Sequence, residues 1–192
     1  WCDCLWAFCV GGGICVLGQI FIQWYTSLGL EKTNAYNRAF FSEIGELAAR
    51  ENIRLLVENV FPIAGCIDHA CFPEEMAALM QELNDPMFGI CWDFGHANLN
   101  LQHRDKEQSE LLLTLGQRVK IIHAHNNHKT RDSHLPPAIG YIDWQDAISG
   151  LKEIGFSGFF SLECGCGRGG RKLEQAYCEY CAKTTDIILE QI

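Results

Sequence analysis

Four ligand-type side chains stand where four short apolar runs end. Glu58 closes IRLLVE, Asp93 closes FGICWD, His123 lies late in VKIIHAH, and Glu163 closes FFSLE. The intervals are 35, 30 and 40 residues, each about one strand-helix unit. Three carboxylates and one imidazole make a mixed oxygen and nitrogen donor set. Such a set suits Mn²⁺, Zn²⁺ or Mg²⁺ rather than a thiolate-seeking ion. A second group lies close by: His96 follows Asp93 in FGICWDFGHANLN, and Asp132 and His134 share RDSH, in the loop after His123. Asp and His on either side of one residue can reach the same ion from an extended loop. Each residue also has a plainer reading. A terminal Glu can cap a helix or pair with an Arg, and His96, Asp132 and His134 can be ordinary loop residues. The metal reading rests on the succession, since four strand ends in a row are hard to fill with ligand types by chance.

For those residues to meet, the runs that carry them must be parallel neighbours with helices between them. Asn37 to Ala49 places Phe40, Phe41, Ile44, Leu47 and Ala48 at helical spacing, on one face. Pro73 opens a helix with Met76, Leu79, Met80 and Leu83 inward, and Asn84-Asp85-Pro86 stops it. A further helix spans about Glu107 to Leu115. Asp143 caps one that runs through Ile154, with Trp144, Ile148 and Leu151 inward, and a last helix begins near Leu173. Strands ending near Gln23, Glu58, Asp93, His125 and Glu163 alternate with these helices, which predicts a parallel α/β architecture in one domain. In parallel sheets and barrels, sites form at the C-terminal ends of strands, where these residues lie.

Composition narrows the function classes. Of 192 residues 48% are hydrophobic and 20% charged, as in ordinary globular domains. The net charge of −9 leaves no basic face to neutralise a phosphate backbone, which argues against nucleic-acid binding. Eleven cysteines, an odd number spread over apolar segments, do not read as a disulfide framework and point to a reducing, cytoplasmic setting. The run from Cys4 through Leu30 carries no charge and is long enough to raise a membrane span. Its three consecutive glycines, Gln19, Gln23 and the lack of flanking Lys or Arg favour a buried strand, IFIQ, and no membrane. Residues 1–17 before it remain an uninterpreted cysteine-rich segment. CGC at Cys164 to Cys166 and CEYC at Cys178 to Cys181 offer a rival zinc site, although the second pair falls within a helix. GCGRGG can cradle a phosphate or be a flexible connection. His69, His103 and His128 read as surface residues.

LLVENV, CWDFGHAN, IIHAHNNHKTRDSHLPP, GYIDW and GFFSLE, in this order and spacing, resemble the xylose isomerase-like TIM-barrel superfamily. That group holds sugar phosphate isomerases and epimerases and the endonuclease IV type of apurinic-site nuclease (AP endonuclease family 2). The resemblance covers about Gly18 to Glu163. It implies that Glu58, Asp93, His123 and Glu163 hold the shared metal, with His125 the alternative to His123 because both occur in HAH. In the epimerase branch the two glutamates also move protons on either side of a bound ketose, and His96 contacts substrate. In the nuclease branch residues matching His96, Asp132 and His134 bind a further zinc, but Gln23 stands where a histidine is expected. Ala138-Ile139 replaces the usual glycine-containing pair after LPP, so that loop is expected to differ in shape.

A closed eight-stranded barrel takes about 250 residues. Five readable strands therefore imply an incomplete barrel that lacks roughly three N-terminal units of that count. Open sheet edges would favour association into a homo-oligomer. The resemblance implies a divalent-metal-dependent isomerase or epimerase of a small sugar or polyol, with Glu58 and Glu163 exchanging a proton on carbon through an enediolate. The alternatives are a multi-zinc phosphodiesterase and a metal-binding fragment without turnover.

Overall fold

The computed structural model describes residues 29–62, 69–103, 105–165 and 169–190. The IFIQ run, Gln23, the cysteine-rich leader and the centre of GCGRGG lie outside them. Helix α1 (Leu30–Arg50) precedes strand β1 (Leu55–Glu58), and α2 (Pro73–Leu83) precedes β2 (Phe88–Asp93). A short helix α3 (Phe94–Leu99) follows β2 at once. Then come α4 (Gln108–Leu115), β3 (Val119–Ala124), α5 (Trp144–Glu153), β4 (Phe159–Leu162) and α6 (Arg171–Leu189). The strands form one sheet in the order β1-β2-β3-β4, and all neighbouring pairs are parallel.

Alternation along each strand decides what its two faces do. Val57, Ile90, Trp92, Ile122 and Ala124 join a core with Met76, Met80, Leu111, Leu112, Ile148 and Leu151 from the helices. Burying a side chain of this size contributes about 1.5–3 kcal/mol, so this layer fixes the sheet against its helices. The residues between them take the opposite face. Glu58, Cys91, Asp93, Ile121 and His123 lie there, and at the start of β4 Phe159, the cross-strand partner of Ile121, is 78% exposed.

Local signals set the helix ends. Pro73 is the first residue of α2, and Asn84 closes it in a left-handed conformation with its N–H on the Met80 carbonyl. The Asp143 carboxylate accepts from the N–H groups of Gln145 and Asp146 and so caps α5. Helices α4 and α5 approach closely because Gly150 has no side chain. A Cβ there would lie 2.6 Å from Ser109 Cα. Ser109 donates to the Asp146 carboxylate across the same contact.

Two sequence expectations need correction. Helix α1 begins seven residues earlier than Asn37, and its inward line is Thr33, Asn34, Phe41, Gly45 and Ala48. Phe40 and Leu47 are exposed, because each sits about 100° around the helix from a residue on the buried line. Gly45 lets α1 meet the sheet, since a Cβ there would lie 2.6 Å from the Phe88 ring. His103 is buried rather than on the surface, with its ring edge-on to Phe72 at 6.4 Å. Burial, and the nearby Lys106 charge, hold its pKa below the usual histidine value. His128 is exposed, as expected. Among the described residues no helix is long and apolar enough to cross a membrane.

Candidate metal centre

Parallel pairing in this register brings the four strand-end residues to one place. Glu58 pairs across the sheet with Cys91, and Asp93 with His123. Glu163 follows β4, held by its N–H on the Ala124 carbonyl at 3.1 Å. One ligand atom from each of Glu58, Asp93, His123 and Glu163 lies within 4.8 Å of the others. His123 Nδ1 is 2.9 Å from Glu58 Oε1, 3.3 Å from Glu163 Oε2 and 4.0 Å from Asp93 Oδ2. Asp93 is fully buried, and its Oδ2 has no hydrogen-bond partner among the described residues. A buried carboxylate oxygen left bare toward an imidazole and two more carboxylates is a costly arrangement without a cation. The donor set and this orphaned oxygen therefore fit a divalent ion.

His96, Asp132 and His134 also come together, and His125 joins them. Asp93, His96 and His125 form one ligand-sized group, and His125, Asp132 and His134 form another. Asp132 Oδ2 lies 3.5 Å from His96 Nε2 and 3.0 Å from His134 Nε2. The ring orientation of both histidines is set from behind. His96 Nδ1 donates to the Asn59 carbonyl at 2.8 Å, and His134 Nδ1 donates to the Glu163 carbonyl at 2.7 Å. A carbonyl only accepts, so each Nδ1 carries the proton and each Nε2 turns toward Asp132. Metal-ligating histidines are commonly oriented in this way.

His125 is fully buried, stacked on His134 with centroids 4.1 Å apart. Its Nε2 is 3.0 Å from Asp93 Oδ1 but lacks hydrogen-bond alignment. HAH thus serves both groups, with His123 among the strand-end four and His125 between Asp93 and Asp132. Burial pushes the Asp93 carboxyl upward, but the adjacent His125 and His96 outweigh it, and the net shift is downward. His134 is lowered by burial, yet the Glu163 carbonyl and Asp132 leave it raised overall.

Three residues that place these groups were not singled out from the sequence. Asn59, directly after Glu58, accepts from Asp93 N–H at 2.5 Å and donates to the Asp93 carbonyl at 2.9 Å. It clamps the last residue of β2 while its own carbonyl holds His96. Gly95 leaves the space that His125 fills, since a Cβ there would lie 1.9 Å from His125 Cε1. Asn126 ties the following loop by accepting from Asn127 and Ile142 N–H and donating to the Pro137 carbonyl. The loop after LPP uses Gly140 for its sharp turn. A Cβ there would overlap Asn126 Oδ1 at 2.1 Å.

Of the rival thiolate set, Cys166 lies outside the described residues, and Cys164, Cys178 and Cys181 form no ligand-sized group among the described ones. Cys178 is exposed on α6, while Cys181 is buried near Cys164. Burial, with Cys181 next to it, pushes the Cys164 thiol up to about 12. A groove of about 540 Å³ lies at the opposite end of the strands, lined by Arg54, Gln117, Lys120 and Phe159 among others. It holds none of the ligand-type residues.

The model of one protein family, the xylose isomerase-like TIM barrel, matches residues 13–180. The chain belongs to that family. Its four described strands and their helices are part of a barrel, and the centre lies at the C-terminal strand ends where this fold builds its sites. An uncharacterized protein of Methanocaldococcus jannaschii is 29% identical over 155 residues, covering 81% of this chain and 52% of the relative. The crystal structure of a D-tagatose 3-epimerase-like protein superposes with a TM-score of 0.62 at 26% identity, covering 81% of this chain and 55% of that one. A D-psicose 3-epimerase solved in the presence of D-fructose gives a TM-score of 0.67 at 13% identity, covering 84% and 58% respectively, and shows the shared fold. The chain spans about half the length of the relatives it matches.

Proposed function

We propose that this family member is a divalent-metal-dependent isomerase or epimerase of a small sugar or polyol. The observation that carries the reading is the meeting of Glu58, Asp93, His123 and Glu163 within 4.8 Å at four successive strand ends. The similarity to sugar 3-epimerase structures supports the substrate class. Mn²⁺, Zn²⁺ or Mg²⁺ on those four residues would supply Lewis-acid polarisation of a carbonyl and its neighbouring hydroxyl. Glu58, at the end of β1, and Glu163, after β4, both approach Nδ1 of His123 and are both partly open to solvent. One carboxylate takes a proton from carbon on one face, and the other returns a proton on the opposite face. Asp93, buried and clamped by Asn59, keeps its charge and does not join the proton traffic. His96, with Nδ1 fixed on a carbonyl, presents Nε2 to substrate oxygens. General acid-base catalysis of this kind contributes about 10²–10⁴-fold.

A second reading, a multi-zinc phosphodiesterase, is favoured by the approach of Asp132 to both His96 and His134 and disfavoured by the net charge of −9. A third is a metal-binding chain without turnover. The test is elemental analysis after purification without chelator, followed by a panel of ketoses in deuterated water with proton NMR at the exchanging carbon. Isomerase action predicts carbon-bound deuterium with wild type and none with Glu58→Gln or Glu163→Gln. Metal without exchange, but with cleavage of an abasic duplex, would move the assignment to the phosphodiesterase. Absence of metal would refute both enzyme readings.

A further inference from the structure

Cys91 lies two residues before Asp93 on β2, and alternation brings it to the same face of the sheet. It is the cross-strand partner of Glu58, and Asn59 N–H binds its carbonyl at 3.3 Å. It is 5% exposed and forms no disulfide. Its Sγ, a Glu58 carboxylate oxygen and a His123 ring nitrogen all lie within 4.8 Å of one another. A cysteine alone would mean little here. The independent sign that a cation belongs beside it is the buried, unpartnered Asp93 Oδ2 facing His123 Nδ1 from 4.0 Å. The donors at this end of the sheet are therefore not only oxygen and nitrogen.

We infer that Cys91 gives the centre a sulphur donor, so that the site also takes a thiophilic divalent ion on Glu58, Cys91 and His123. Glu58 and His123 are common to both donor sets, and a hard ion uses Asp93 and Glu163 with them. A soft ion takes the floor thiol instead. On binding, the S–H bond breaks, the sulphur pair forms the bond to the metal, and the proton leaves to solvent. The centre then selects between metals by which side of the shared Glu58-His123 pair supplies the remaining ligands. This rests on the metal-centre reading above, and the experiment separates the two.

Purified chain, stripped of metal, is titrated with Cd²⁺ and separately with Mn²⁺, using wild type, Cys91→Ser, Cys91→Ala and His123→Ala. Two replacements of Cys91 are used because Ser places a hydroxyl in a buried position while Ala leaves a small void. Near-ultraviolet absorption reports thiolate-to-metal charge transfer. The other cysteines contribute equally to every variant, so difference spectra isolate one thiolate. Cd²⁺ should bind wild type at least about tenfold more tightly than either Cys91 variant, the lower end of what even an outer partner of a ligand costs. The difference band should vanish in both Cys91 variants and in His123→Ala. Mn²⁺ affinity should agree within about twofold between wild type and the Cys91 variants, because sulphur does not select that ion. Equal Cd²⁺ affinity and equal absorption in wild type and both Cys91 variants would overturn the inference. Failure of Mn²⁺ to bind wild type, with Cd²⁺ still discriminating, would overturn the four-residue centre and leave the thiolate site standing.

Discussion

Replacing Asp93 with Asn keeps the size of the side chain and removes its charge. Oδ1 still accepts from His96 N–H, at 2.7 Å in the parent, and the Asn59 clamp acts on backbone atoms and is untouched. Downgrading a charged hydrogen bond to a neutral one costs about 1 kcal/mol. Burial penalises the Asp93 charge, but the adjacent His125 and His96 outweigh it and hold the carboxyl below its usual value, so the folded chain favours the ionised form. Without metal, Asp93→Asn is therefore expected to melt below the wild-type temperature. With metal the gap widens. Ligand at a hundred times its Kd stabilises by about 2.7 kcal/mol, which for a chain of this size raises Tm by about 5–11 °C. A hundredfold weaker Kd in the variant leaves about 0.4 kcal/mol, or about 1–2 °C. Differential scanning calorimetry with chelator and with Mn²⁺ measures both numbers. A variant that kept the full metal-dependent increment would refute Asp93 as a ligand. One that melted above wild type without metal would refute the balance drawn between its charge and its burial.

Asn59→Ala leaves the N–H and carbonyl of Asp93 unpaired in a buried place. It should cost about 2–4 kcal/mol, read as a lower urea midpoint at unchanged m. Gly95→Ala drives a methyl into the His125 ring and should destabilise by about 1–3 kcal/mol while releasing His125 from Asp93, visible as a shifted imidazole resonance. His103 is held below its ordinary pKa, so above about pH 6.5 both folded and unfolded forms are neutral and the group has no effect. As pH falls below that value the unfolded chain takes a proton that the folded chain refuses. Stability is then lost until the depressed folded pKa is reached, at no more than about 1.4 kcal/mol per pH unit. The offset between the urea midpoints of wild type and His103→Phe should be constant above pH 7 and change below it, and an offset constant over the whole range would sink the argument.

Much of this protein was legible in its residues because the relevant signals are local. Apolar runs of strand length, Pro73 and Asn84 bounding α2, Asp143 capping α5 and the spacing from Glu58 to Glu163 all act within a few residues of one another or once per strand-helix unit. They were enough for parallel α/β order, for placing Glu58, Asp93, His123 and Glu163 at strand ends, and for grouping His96 with Asp132 and His134. Tertiary structure decided what depends on register and depth. Which residue of HAH meets Glu58 follows from the pairing of Asp93 with His123, which no periodicity within one strand specifies. The burial of His103 and the exposure of Phe40 and Leu47 depend on which line of a helix meets its neighbour. Cys91 reads as a small buried hydrophobe until the sheet sets it beside Glu58 and His123. Spacing along the chain could say which residues reach the same end of the sheet. Only the packing of strand against strand brought their atoms within reach of one ion, because that distance is set across hydrogen-bonded backbones rather than along one.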